Sequence, residues 1–133
     1  GLMPASGEVL LDTSVVIPYL KGDPAIGGQI QTSSALYLPQ TALGELYCGA
    51  HVSQNPGKHL AKIQIFLTAV AVLSPGVATA EHYGRLRAQL AKAGTPIPEN
   101  DIWIAALALE HQLPLAARDA HFDLVIGLPV LKW

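Results

Sequence analysis

The sequence predicts a three-layer α/β/α domain with a small, mainly parallel central sheet. Three observations carry this expectation. Short apolar runs recur along the chain, stretches with helical spacing of apolar residues separate them, and half of all residues are hydrophobic while only 14% are charged. Apolar strands of this kind are buried on both faces, and parallel neighbours need crossover connections, which the intervening helices supply. A chain of 133 residues fits one such domain, and its apolar, weakly charged composition excludes a disordered segment.

Val9 to Leu11 read as the first strand, ended by Asp12-Thr13-Ser14, whose side chains cap a helix from about Val15. Pro18 fits only near the start of that helix. Gly22-Asp23-Pro24 interrupts, a second helix runs through Ile26 to Thr32, and Ala35 to Leu38 form a second buried strand stopped by Pro39. From Thr41, the residues Ala42, Leu43, Leu46, Tyr47 and Ala50 recur at helical spacing until Ser53 to Gly57 break the pattern. A helix over Lys58 to Leu67 and a strand over Val70 to Leu73 follow.

Ser74-Pro75 opens a long helix through Ala78, Tyr83, Leu86 and Leu90 that Gly94 terminates. Thr95 to Pro98 is a rigid connector. Asn100 or Asp101 starts the most apolar helix, Ile102 to about Glu110, and Leu113 to Ala117 form a fourth strand with Asp119 just beyond its end. A helical turn over Ala120 to Val125 and a last strand at Val130-Leu131 complete the order. We expect a single domain over residues 3–133, with Gly1 and Leu2 before Met3 set aside as a cloning remnant.

The longest apolar run, Ile102 to Leu109, is far below the roughly 18 residues of a membrane-spanning helix, so no membrane partner is expected. The single Cys48 cannot form an intramolecular disulfide, which points to a reducing, cytoplasmic compartment. With no His or Cys at metal-ligand spacing, Cys48 reads as a buried or partner-facing thiol rather than a zinc ligand or nucleophile. The formal charge of −2 gives no overall basic field.

In an open parallel sheet, ligands bind beyond the carboxyl ends of the strands. Asp12 and Asp119 sit there, Asp101 heads a helix leading into the strand before Asp119, and Glu45 lies beside Ala42 at the border of an apolar helix face. Singly, each has a structural reading: Asp12 as turn or cap, Asp101 as N-cap, Glu45 as a solvated helix residue, Asp119 as a turn residue. Jointly they repel unless a cation neutralises them, and hard divalent ions such as Mg²⁺ take oxygen ligands of this kind.

The joint pattern resembles the PIN-domain ribonucleases, and within them the VapC-like toxins of bacterial and archaeal toxin–antitoxin pairs. The resemblance covers Val9 to Trp133. It is carried by Leu11-Asp12-Thr13-Ser14-Val15, by Glu45, by the stretch Pro98 to Ala106, and by Asp119-Ala120-His121-Phe122 with Gly127 to Val130 behind it. It implies Mg²⁺- or Mn²⁺-dependent endonucleolytic cleavage of RNA, with Asp12, Glu45, Asp101 and Asp119 at the positions of the family's metal-binding acids. It also implies a homodimer and a cognate antitoxin whose extended C-terminal segment inserts a basic residue among the carboxylates. The family often has Thr or Ser two residues before the fourth acid, where this chain has Ala117.

On this reading Asp12, Asp101 and Asp119 are the metal ligands, and Glu45 is a ligand or orients the attacking water. Ser14 and Asn100 support the site. Leaving the four acids aside, eight basic residues face six acidic ones, so Arg85, Arg87, Lys92 and Arg118 become phosphate-contact candidates. Arg118 is the foremost because it neighbours Asp119. Asp123, four residues after Asp119, is a possible fifth acid; His121, two after Asp119, offers a general base or ligand but reads first as a packed or capping residue. Two other function classes compete: a PIN-like module that binds RNA or protein without cutting, favoured by Ala117, and a phosphate-accepting receiver. The receiver requires adjacent acids after the first strand and a Lys near the end of the sheet, whereas Asp12 precedes Thr13 and Lys132 comes too late.

Overall fold

The computed structural model describes residues 7–133; the expected remnant Gly1-Leu2 lies outside the described residues. The order is β1 (Glu8–Leu11), α1 (Thr13–Leu20), α2 (Pro24–Thr32), β2 (Ala35–Pro39), α3 (Gln40–Val52), α4 (Pro56–Leu67), β3 (Ala71–Leu73), α5 (Val77–Lys92), α6 (Glu99–His111), β4 (Leu115–Ala116), a 3₁₀ turn (Ala120–Leu124) and β5 (Val130–Leu131). All four strand pairings are parallel, in the order β3-β2-β1-β4-β5. The α/β class is therefore as predicted, and the described sheet is parallel throughout.

This order decides where a ligand binds. From β1 the chain builds outward to β2 and β3, then returns to lay β4 and β5 on the other side of β1. The connections thus leave in opposite directions at β1 and β4, and that divergence opens a crevice beyond the carboxyl ends of these two strands. Asp12 follows β1 directly and Asp119 follows β4 by three residues.

Val9, Leu10 and Leu11 are all buried, as a central strand covered on both faces requires. They pack in one core with Val15 and Val16 of α1, Leu38 of β2, and Phe122 of the 3₁₀ turn. Helix α6 buries Ile102 and every residue from Ile104 to Ala108, which is why its sequence is apolar nearly all round. Strand β3 departs from the expected two-sided burial: it is an edge strand, and Ala71 and Val72 are exposed. No helix among the described residues is long and apolar enough to cross a membrane.

Element limits shift for identifiable reasons. Helix α1 starts at Thr13, because the Asp12 side chain accepts the Ser14 backbone N–H and caps it two residues earlier than expected; Pro18 then falls inside the helix. Asp23 caps α2 through the N–H groups of Ala25 and Ile26, so α2 begins at Pro24. Helix α5 begins at Val77 rather than at Ser74-Pro75, with Gly76 N–H donating to Thr79 Oγ1. The fourth strand shrinks to Leu115–Ala116, because Gln112 takes a left-handed conformation (φ 53°) and Leu113 N–H still donates to Ala108 of α6.

Candidate active site

Three of the four predicted acids are placed by helix starts. Asp12 is the N-cap of α1, Asp119 is the N-cap of the 3₁₀ turn, and Asp101 lies in the first turn of α6. Carboxylates are favoured at such ends, where unpaired backbone N–H groups point outward. Glu45 comes from the middle of α3, which packs against α1 and α6.

The four acids meet. Asp12 is only 3% exposed, and burial pushes its carboxyl above the ordinary range. Hydrogen bonds from the Ser14 side chain and from the Ser14 and Thr13 backbones pull it back, while the charge of Asp119 adds to the rise. Glu45 is raised by burial and by the charges of Asp12 and Asp101, against a hydrogen bond from the Thr13 side chain. Asp101 is raised by burial and by Asp12 and Asp119, against its hydrogen bond with His121. Mutual repulsion thus links Asp12 to the other three acids.

Two oxygens in this cluster, Asp12 Oδ1 and Glu45 Oε1, are buried and have no hydrogen-bond partner. Buried acceptors are nearly always satisfied, so orphaned carboxylate oxygens among like charges fit a divalent cation that takes oxygen ligands. Asp101, Asp119 and His121 bring one potential ligand atom each to within 4.8 Å of one another.

Ser14 ties the two strand ends together. Its Oγ donates to Asp12 Oδ2 at 2.6 Å and accepts the Arg118 backbone N–H at 2.9 Å. Ala117, at the position where the family often has a hydroxyl, is fully buried, so Ser14 is the hydroxyl that supports Asp12.

Other residues lie elsewhere than their sequence positions suggested. The Arg118 guanidinium reaches away to Asp23 Oδ2 (3.1 Å) and the Trp133 carbonyl (2.6 Å), so only the Arg118 backbone serves Ser14. Asp123 pairs with Lys132 at 2.7 Å and is not among the acids that couple to Asp12. Asn100 is exposed in the first turn of α6. Arg85 pairs with Glu81, and Arg87 with Glu99, on the surface of α5; Lys92 is exposed at its end. Cys48 is exposed, which removes the buried alternative for that thiol.

His121, read from sequence as packed or capping, is neither simply. Its backbone N–H does donate to the Asp119 cap, but its ring is 45% exposed. The ring Nδ1 stands 2.9 Å from Asp101 Oδ2 and 3.0 Å from Asp119 Oδ1. The hydrogen bond to Asp101, with the charges of both acids, holds the imidazolium above its ordinary range. The spacing Asp119-x-His121, opened by a capping Asp, was the signal available in sequence.

Comparisons with known proteins identify the family and the fold. A family model described as PIN domain matches residues 9–128. The protein is 34% identical over 129 residues to Ribonuclease VapC2 of Haemophilus influenzae, covering 95% of this chain and 98% of that one. It is 32% identical to the tRNA(fMet)-specific endonuclease VapC of Shigella flexneri, with the same coverage. Its fold superposes on the DNA-bound VapBC structure of Salmonella typhimurium with a TM-score of 0.90 at 29% identity, covering 95% of this chain and 98% of that one.

Proposed function

Because the chain belongs to the PIN-domain family, we propose that it is a metal-dependent endoribonuclease and the toxin of a cytoplasmic toxin–antitoxin pair. The observation that carries this reading is the meeting of Asp12, Glu45, Asp101 and Asp119 in the β1/β4 crevice, with Asp12 Oδ1 and Glu45 Oε1 buried and unpartnered. Asp12, Asp101 and Asp119 would hold Mg²⁺ or Mn²⁺. The bound ion supplies polarisation of a phosphoryl oxygen and a lowered pKa for its water. Glu45 would either add a ligand oxygen or orient the attacking water through Oε1, and burial beside Asp12 and Asp101 raises its affinity for a proton. Ser14 fixes Asp12 by donating its hydroxyl proton to Oδ2.

A groove of about 280 Å³ supports the antitoxin partner. It is lined by Ile17, Leu20, Leu46 and Ile63 together with Lys62 and Glu45. An extended apolar peptide segment seated there would reach the carboxylates with its next charged residue. Exposed Ile65 on α4 and Val52 at the end of α3 support a homodimer, for which a monomer mass in light scattering at tens of micromolar would be contrary.

The deciding experiment is cleavage of total cellular RNA by purified protein with Mg²⁺ or Mn²⁺, beside EDTA and Asp101→Asn controls. A discrete product that requires both the metal and Asp101 is expected. No product from folded, antitoxin-free protein would overturn the nuclease and leave a non-cutting binding module.

A further inference from the structure

We propose that His121 is a nitrogen ligand of the metal centre and biases it toward Mn²⁺ and its transition-metal neighbours over Mg²⁺. The proposal rests on reading the carboxylate cluster as a divalent-ion site, and adds to it a donor that is not an oxygen.

The geometry comes from one short turn. Asp119 caps the 3₁₀ turn by accepting the His121 backbone N–H at 2.9 Å, which fixes residue 121 against its own cap. The ring Nδ1 then stands 2.9 Å from Asp101 Oδ2 and 3.0 Å from Asp119 Oδ1. Two ligands at right angles on bonds of about 2.1 Å are separated by roughly 3.0 Å, so these contacts have the length of an octahedron edge. In the metal-free protein a ring proton bridges the same gap as a hydrogen bond. With Nε2 carrying the ring proton instead, the Nδ1 lone pair faces the two carboxylates that an ion would share.

A second observation points independently to a ligand. Asp12, 3% exposed, has an unpartnered Oδ1 and is coupled electrostatically to both Asp101 and Asp119. The centre therefore contains a buried carboxylate oxygen of the kind that a cation takes as ligand. Its selectivity is set by the remaining donor. Mg²⁺ favours oxygen ligands and retained waters, whereas imidazole binds first-row transition ions with added strength. One nitrogen among carboxylates hence favours Mn²⁺ in competition with Mg²⁺.

The test uses the purified full chain without RNA. Mn²⁺ is added at one equivalent, and pulsed electron paramagnetic resonance is read for coupling of the ion to a ¹⁴N nucleus. Direct coupling in the wild type, absent in His121→Ala, is expected. Isothermal titration should show the Mn²⁺ Kd of His121→Ala rising by about tenfold or more, with the Mg²⁺ Kd moving by less than about threefold. The variant keeps the fold, because the Asp119 cap is made to the backbone of residue 121 and the ring is 45% exposed. Mn²⁺ bound without nitrogen coupling would overturn the role of His121 while leaving the metal site standing. Equal losses for both ions would overturn the bias, and failure of the wild type to bind Mn²⁺ would overturn the metal reading as well.

Discussion

Ser14 Oγ lies 2.6 Å from Asp12 Oδ2 and gives its only proton to that oxygen, while its lone pair accepts the Arg118 N–H arriving from the other side of the β1/β4 crevice. One hydroxyl thus orients the most buried acid and joins the segment leading to Asp119. Ser14→Ala removes both bonds and leaves the Asp12 carboxylate held by backbone N–H groups alone. Loss of a supporting hydrogen bond of this kind lowers metal affinity by about 10- to 100-fold, and net stability by about 1 kcal/mol. Metal titration and thermal unfolding of the variant check both, and an unchanged metal Kd would remove Ser14 from the site.

The like-charged cluster makes the metal-free protein less stable than it need be. Asp12, Glu45, Asp101 and His121 all have pKa values raised above those of the unfolded chain. Each then binds its proton more tightly when folded, so its contribution is fully present below its unfolded pKa and is lost as pH rises through the raised folded value. In EDTA, the melting temperature should therefore fall as pH rises, the carboxylate part fading above the ordinary values of 3.8 to 4.5 and the His121 part above 6.5. Asp12→Asn keeps the cap acceptor and removes the charge, so it should stabilise the metal-free protein by about 1 kcal/mol at pH 7.5 while abolishing metal-dependent cleavage. A lower melting temperature for Asp12→Asn would contradict this account.

Metal binding should reverse that penalty. An ion that binds only the folded chain stabilises it by about 2.7 kcal/mol at a hundred times its Kd. Differential scanning fluorimetry with added Mn²⁺ should show a rise of roughly ten degrees for a chain of this size. Asp101→Asn should lose most of the rise, and a full rise in that variant would mean that the ion binds elsewhere.

Asp12, Asp101 and Asp119 were legible in the sequence because each ends or begins an element, a strand that stops in Asp or a helix headed by Asp, whereas Glu45, mid-way along α3, showed only as an acid beside Ala42 at the border of an apolar face. What the sequence did not show was direction. Arg118 neighbours Asp119, yet in extended chain successive side chains point oppositely, and the guanidinium goes to Asp23 instead. Asp123 stands four residues from Asp119, a separation that aligns side chains on an α-helix. The segment forms a 3₁₀ turn with three residues per turn, and Asp123 faces Lys132. The same turn brings the His121 ring onto two carboxylates, a contact that depends on the cap and on α6 arriving from elsewhere in the chain. The edge position of β3 was equally hidden, since its apolar run does not differ in kind from that of a central strand.

The groove lined in part by Glu45 gives the last prediction. Gly49 lines it from α3, and a Cβ added there meets nothing within 4 Å, so a side chain at this position starts into open space. Replacing a helical Gly by Phe also recovers roughly a few tenths of a kcal/mol of helix propensity. Gly49→Phe should consequently leave the melting temperature unchanged or higher, yet fill the space that an apolar segment of the antitoxin would occupy. Binding of the cognate antitoxin, measured by calorimetry, should weaken by tenfold or more, about 1.4 kcal/mol. Unaltered affinity in a variant that melts normally would show that the partner approaches the carboxylates by another face.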